Sequence, residues 1–145
     1  MKPKEDGEGA YRAMKLSLER ANLSPSDIQL VNCHATSTPV GDKAELSAIT
    51  NLFNSNPSLS LTANKGALGH CFASAGTIES IFTIQSLNTS LIPPTLNYEN
   101  PISSIPHSNV KIDKNSQERE ITHAVKNSFG FGGTNVAIVF SKYLQ

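Results

Sequence analysis

Residues 66–98 read GALGHCFASAGTIESIFTIQSLNTSLIPPTLNY, and Glu79 is the only formally charged side chain among them, with His70 counted neutral. Within this stretch, residues 70–88 are long enough for a helix and are apolar or small nearly all round. A surface helix has an apolar stripe and a polar back, whereas one that is apolar on every side is buried. The sequence therefore predicts a buried helix, followed by extended chain where Pro93-Pro94 excludes helical backbone. Large apolar surfaces are not left to water, so something outside this chain is expected to cover part of that helix.

On the N-terminal side, Ala10, Met14, Leu18 and Ala21 recur at helical spacing and predict an amphipathic helix over residues 8–22. Ser24-Pro25-Ser26-Asp27 reads as a turn, and residues 28–32 (IQLVN) have the length and branching of a strand. After the loop from His34 to Gly41, Asp42 stands three residues before Glu45, the spacing of an N-cap and its capping-box partner. Ala48, Ile49, Leu52 and Phe53 form the buried stripe of that helix. Asn54–Pro57 ends it, and residues 59–63 make a short strand. On the C-terminal side, residues 97–120 read as a surface connection with one short strand near 110–112. Two strands close the chain, about 121–128 and 135–141, and VAIVF at 136–140 reads as covered on both faces. The order implies an α/β layer fold, with a mixed five-stranded sheet and the buried helix against it.

Composition removes several classes of function. Twelve basic residues balance twelve acidic ones, and no basic run is present, so nothing favours nucleic acid. No apolar stretch approaches the ~18–20 residues of a membrane span. The opening MKPKEDGEG has neither the apolar core of a secretory signal nor the acid-poor look of a transit peptide. Cys33 and Cys71 are too few for a disulfide framework, which fits a reducing compartment. Cytoplasm or mitochondrial matrix is the expected location.

Six of the nine glycines fall in three loops: Gly41; Gly66 and Gly69; and Gly130, Gly132 and Gly133. Each loop follows a predicted strand, where α/β folds place ligand sites. Two of these loops carry histidines, His34 and His70, whereas His107 and His123 have polar neighbours and read as surface residues. Several roles are open to His34 and His70. Either can cap a strand or helix end. Metal ligation draws on the neighbours Cys33 and Cys71, but zinc-type spacing is absent and adjacent strand residues point to opposite faces. Phosphate binding lacks both glycine-rich signatures, and residues 72–76 (FASAG) lack the first glycine of a hydrolase elbow. Lys65, at the mouth of the second loop, is the nearest cation along the chain to Glu79. A carboxylate buried without a partner costs several kcal/mol, so a buried Glu79 calls for Lys65; a solvated Glu79 is the alternative.

Three motifs follow one another: His34-Ala35-Thr36-Ser37-Thr38-Pro39 running into Gly41-Asp42-Lys43-Ala44-Glu45; Asn64-Lys65-Gly66 with Gly69-His70 and Ala75-Gly76…Glu79; and Asn127-Ser128-Phe129-Gly130-Phe131-Gly132-Gly133-Thr134-Asn135. In this order they resemble the elongating β-ketoacyl-[acyl-carrier-protein] synthases. Leu91-Ile92-Pro93-Pro94-Thr95-Leu96-Asn97 is similar to a further family feature. The resemblance spans essentially the whole chain and implies the C-terminal half of a thiolase-like fold, residues 1–145, with the half that bears the nucleophilic cysteine absent. It implies a Cys-His-His site for decarboxylative condensation of an acyl thioester with malonyl-acyl carrier protein, in fatty-acid elongation. His34 and His70 supply donors to the developing enolate, one of them assisting loss of the malonyl carboxyl group. Lys65 and Glu79 match an ion pair bordering the site. Thr36 and Thr38 match positions that bind the pantetheine arm. Phe131 matches an acyl-pocket gate whose N–H serves an oxyanion hole. The family implies no metal and no cofactor beyond the phosphopantetheine of acyl carrier protein, which is the expected partner beside the missing half and a second copy in a homodimer.

The departures are specific. Neither Cys33 nor Cys71 lies in the nucleophile's motif, so the chain by itself is expected to be inactive. Cys71 and Phe72 stand where the family usually has aliphatic residues. A ketosynthase domain of a polyketide or multifunctional synthase is the rival enzyme reading. A non-catalytic or chain-length-setting subunit paired with a competent synthase is the rival of another class.

Overall fold

The computed structural model describes residues 6–102 and 110–143. In chain order the elements are α1 (Glu8–Ala21), β1 (Leu30–Asn32), α2 (Pro39–Leu52), β2 (Leu59–Thr62), α3 (Lys65–Leu68), α4 (Ala75–Thr89), β3 (Leu91–Ile92), β4 (Val110–Ile112), β5 (Gln117–Glu118), β6 (His123–Phe129) and β7 (Asn135–Ser141). One sheet runs β4-β2-β1-β6-β7. Its first four strands are parallel, and β7 returns antiparallel to β6. This is the mixed five-stranded sheet expected from the sequence.

Side chains alternate across a strand, so each strand feeds two layers. Val31 and Val125 join α1 and α2 on one face, with Met14, Leu18, Ile49 and Phe53. Leu30 and Ala124 join Leu87, Ile92 and Ile121 on the other, beneath α4. The first cluster is the larger and holds most of the hydrophobic stabilisation, at roughly 1.5–3 kcal/mol per fully buried large side chain. Asn22 ends α1 by taking a left-handed conformation (φ 55°), its N–H reaching Leu18 and Glu19 carbonyls.

Three sequence expectations need correction. First, α2 begins at Pro39, not Asp42. Proline needs no hydrogen-bond partner at a first helical position, so the helix starts there with Thr38 as N-cap. Asp42 lies inside the first turn, and Glu45 reaches back beyond the helix to the His34 and Ala35 N–H groups. Second, the helix expected over 70–88 starts at Ala75 and is not buried all round. Gly69 (φ 71°) and Phe72 (φ 47°) hold the preceding chain in a loop. Ala75, Glu79, Thr83, Ser86 and Leu87 face inward, while Ile81, Phe82 and Ile84 are 54%, 37% and 39% exposed. Third, β7 is an edge strand, and Val136 and Ile138 stand exposed instead of covered on both sides. The connection after Pro93-Pro94 also contains an unforeseen ribbon, β3 paired antiparallel with β5.

Candidate active site

His34 follows β1 and His70 follows α3, both beyond the C-terminal ends of parallel strands. That end of an α/β sheet is where side chains from separate crossovers converge. The two rings face each other edge-on, with centroids 5.7 Å apart and planes at 87°. Phe129 lies 5.8 Å from the His34 ring. Phe72 stacks on His70 at 5.5 Å and donates its backbone N–H to His70 Nδ1 at 3.1 Å. An Nδ1 that accepts a hydrogen bond leaves the proton of a neutral ring on Nε2, so His70 presents an Nε2–H donor.

Beneath the rings lies a buried ionic cluster. Lys65 Nζ donates to Glu79 Oε1 and to the His34 carbonyl, each at 2.5 Å. On the opposite side Lys126 Nζ lies 2.8 Å from Glu79 Oε2. Lys126 also donates to the Asn127 carbonyl and, at 3.3 Å, to Ser128 Oγ. Glu79 and Lys126 are 2% and 1% exposed, so these charges meet in a dry interior. Asn32 Nδ2 closes the floor, its two hydrogens shared among Asn64 Oδ1, the Glu79 carbonyl and Thr83 Oγ1 at 2.7–3.0 Å. Burial, followed by the nearby Lys65 and Lys126 cations, pushes His34 down to about 4, against the opposing pull of Glu79. His34 is therefore neutral at ordinary pH.

Glu45 fixes the loop that carries His34. Its carboxylate accepts the His34 and Ala35 N–H groups at 2.8 Å and Asn127 Nδ2 at 3.0 Å. Burial raises Glu45, and those hydrogen bonds oppose the rise. Ala35 (φ 34°) and Ser37 (φ 61°) bend the loop tightly enough for this double acceptance. Thr36 and Thr38 lie on its rim with hydroxyls 3.1 Å apart. A Cβ at Gly41 would come within 2.5 Å of Thr38 Oγ1, so glycine leaves room for that hydroxyl.

The structure thus brings His34, His70, Lys65 and Glu79 together. Phe131 is different: it projects fully into solvent from the turn after β6. His123 lies away from the site, bonded to Ser141 at 2.8 Å, and His107 falls outside the described residues. Cys33 is buried, and desolvation first, then Glu45, pushes its thiol well above the usual range, which removes the thiolate a nucleophile needs. Among the described residues no group of three or more His, Cys, Asp or Glu is placed to hold a metal.

Lys126, Asn32 and the loop-holding role of Glu45 did not emerge from sequence reading. A signal for Lys126 existed: period-2 alternation places it on the face of Ala124 and directs a lone lysine inward.

A parallel-strand sheet with facing histidines at its strand ends, and with its fourth and fifth strands antiparallel, places the chain in the thiolase-like class. Residues 1–99 match the family described as Beta-ketoacyl synthase, C-terminal domain, and the chain belongs to that family. It is 44% identical over 149 residues to a putative mitochondrial 3-oxoacyl-[acyl-carrier-protein] synthase of Schizosaccharomyces pombe, covering 99% of this chain and 34% of that protein. It is 41% identical over 147 residues to 3-oxoacyl-[acyl-carrier-protein] synthase 2 of Rhizobium meliloti, covering 97% and 33%. Among solved structures, a β-ketoacyl synthase from Burkholderia phymatum superposes with a TM-score of 0.87 at 29% identity, over 95% of this chain and 33% of that one. A type II polyketide ketosynthase in complex with its acyl-carrier protein gives 0.89 at 27% identity, over 98% and 35%. The chain spans about a third of the length of the curated relatives it matches.

Proposed function

We propose that this chain supplies the two-histidine part of a β-ketoacyl-acyl carrier protein synthase site. The observation that carries the reading is the facing pair His34 and His70 above the Lys65–Glu79 ion pair, in a chain of this family. The half that bears the cysteine would take an acyl group from its carrier as a thioester. Malonyl-acyl carrier protein would then lose carbon dioxide, leaving the electrons of the broken carbon–carbon bond in an enolate. That carbon attacks the acyl thioester, expels the cysteine thiolate and yields a 3-oxoacyl product two carbons longer.

The charge that develops in decarboxylation sits on the malonyl thioester oxygen. Donors fixed there in advance lower the barrier because they strengthen as the charge grows. Neutral imidazoles suit this role: they donate without the strong ground-state attraction to malonate that a cation would exert. The Nε2–H of His70 and the neutral ring of His34 fit that need. In the same reading Thr36 and Thr38 bind the pantetheine arm at the rim, and Phe131 gates the acyl pocket, its backbone N–H serving the second oxyanion hole. No metal or dissociable cofactor is required. Acyl carrier protein is the proposed partner, in line with a similar ketosynthase having been solved with its own carrier. The apolar face of α4 is proposed to lie against the half that bears the cysteine, within a homodimer, in cytoplasm or mitochondrial matrix.

The test supplies the full-length protein that carries this chain with acyl- and malonyl-acyl carrier protein. The expected outcome is a 3-oxoacyl product and one carbon dioxide per condensation. Acyl transfer to the cysteine with no decarboxylation at any pH would contradict the reading.

A further inference from the structure

Lys126 has no role in the proposed reaction so far, yet it is the most deeply buried charge in the described structure. It lies on β6 opposite Asn32 of β1, on the sheet face that carries His34 two residues further along. Its side chain is 1% exposed, and its ammonium meets Glu79 Oε2 at 2.8 Å while Lys65 holds Glu79 Oε1 at 2.5 Å. One carboxylate therefore sits between two ammonium groups. Burying a second lysine is costly, because one cation already suffices to pair Glu79. Packing gives no reason for it: Lys126 falls between the apolar strand positions Ala124 and Val125 and the motif Asn127–Gly130, where an uncharged side chain would fill the space without desolvating a cation.

We propose that Lys126 is a positioning residue of the condensation site: its buried ammonium on the sheet face of His34 helps keep that ring neutral, and so competent to donate, at pH values where an ordinary histidine would take up a proton. The inference rests on the reading of His34 as a donor to the enolate. Groups facing His34 from every element packed against it enter the balance. They are Asp42 and Glu45 from α2, Lys65 from α3, His70 from the following loop, Glu79 from α4 and Lys126 from β6. Glu79, shared between Lys65 and Lys126, draws a proton toward His34, while the Glu45 carboxylate accepts backbone N–H groups of the His34 loop. After burial itself, Lys65 and then Lys126 oppose a proton on His34, and burial weakens the screening that water would provide.

The test compares the wild type with Lys126→Met and Lys126→Arg in the full-length protein. The histidine rings are titrated by NMR after selective labelling, without substrate, and His34→Gln is used to assign the resonance. In the wild type His34 stays neutral to about pH 5, well below the ordinary histidine range. Lys126→Met should raise its proton affinity about tenfold, and Lys126→Arg, which keeps the charge, should not. With malonyl-acyl carrier protein, Lys126→Met should lose decarboxylation faster than wild type as pH falls through about 6, and recover at higher pH. An unchanged His34 titration in Lys126→Met overturns the proposal, as does a wild-type His34 that titrates like a free histidine. If Lys126→Met does not fold, a folded Lys126→Gln answers in its place. Failure of both to fold, like a folded Lys126→Gln with unaltered His34, assigns Lys126 to the fold alone and overturns the proposal. The titration needs no turnover, so a protein inactive in condensation still answers the question about Lys126.

Discussion

Two helices of nearly equal length lie on opposite faces of one sheet, and they are built in opposite senses. α2 turns Ala44, Leu46, Ala48, Ile49 and Leu52 inward and leaves Asn51 to solvent, as a surface helix does. α4 turns Glu79, Thr83 and Ser86 inward and leaves Ile81, Phe82 and Ile84 outside. Each buries one glutamate, but the two are satisfied differently. Glu45 is held by two backbone N–H groups and an asparagine, all local to the His34 loop and β6. Glu79 is held by two lysines from separate elements. α2 thus presents a polar face to solvent, whereas α4 holds its charge inward and its apolar side chains outward. A helix with its polar face inward is unstable alone in water, so its outer face calls for a partner.

The largest expected effect concerns the partner proposed for that face. The 145-residue chain alone should show no turnover of acyl- plus malonyl-acyl carrier protein, because covalent catalysis needs a positioned thiolate and Cys33 is buried with its thiol held protonated. Turnover abolished by Cys33→Ala or Cys71→Ala would break the comparison at its base. Next in size, Glu79→Gln in the full-length protein should cost about 3–5 kcal/mol in thermal denaturation, since it strands two buried ammonium groups. Lys65→Met should cost less, because Lys126 still pairs the carboxylate. The double variant should be less destabilised than the sum of the two. Strict additivity, with each change under about 0.5 kcal/mol, would mean the α4 inner face is solvated.

The outer face of α4 gives a sharper contrast. Ile81 is 54% exposed in this chain, but Ile81→Ala in the full-length protein should cost about 2–5 kcal/mol, as at a core position. A change within about 0.5 kcal/mol would show that nothing covers it. Smallest is Glu45→Gln, at about 1–3 kcal/mol, because an amide N–H₂ would face an N–H that the carboxylate now accepts. Loosening of the His34 loop, read as faster amide exchange at His34 and Ala35, should accompany it.

Much of this was legible in the sequence. All five strands of the main sheet follow from short branched runs bounded by turns, and the convergence of His34 and His70 follows from glycine loops after strands. The Lys65–Glu79 pair follows from one charge in an apolar segment. What was hidden depended on direction and distance. Composition shows that residues 70–88 are apolar but not which side turns inward; the inner side is the one on which Glu79 meets Lys65 and Lys126, the latter 47 positions away in the chain. The two-residue strands β3 and β5 are too short to leave a periodic trace. Glu45 has the spacing of a capping box, and the same spacing served a different loop because Pro39 opened the helix early.

The central claim is that the facing histidines stabilise an enolate rather than cap strand ends. The direct measurement is release of labelled carbon dioxide from malonyl-acyl carrier protein by the full-length protein, wild type against His70→Ala, with acylation of the cysteine followed in parallel. The account predicts that release falls about 10²–10³-fold while acylation is largely retained. Release at the wild-type rate from His70→Ala would contradict it and leave His70 a structural residue.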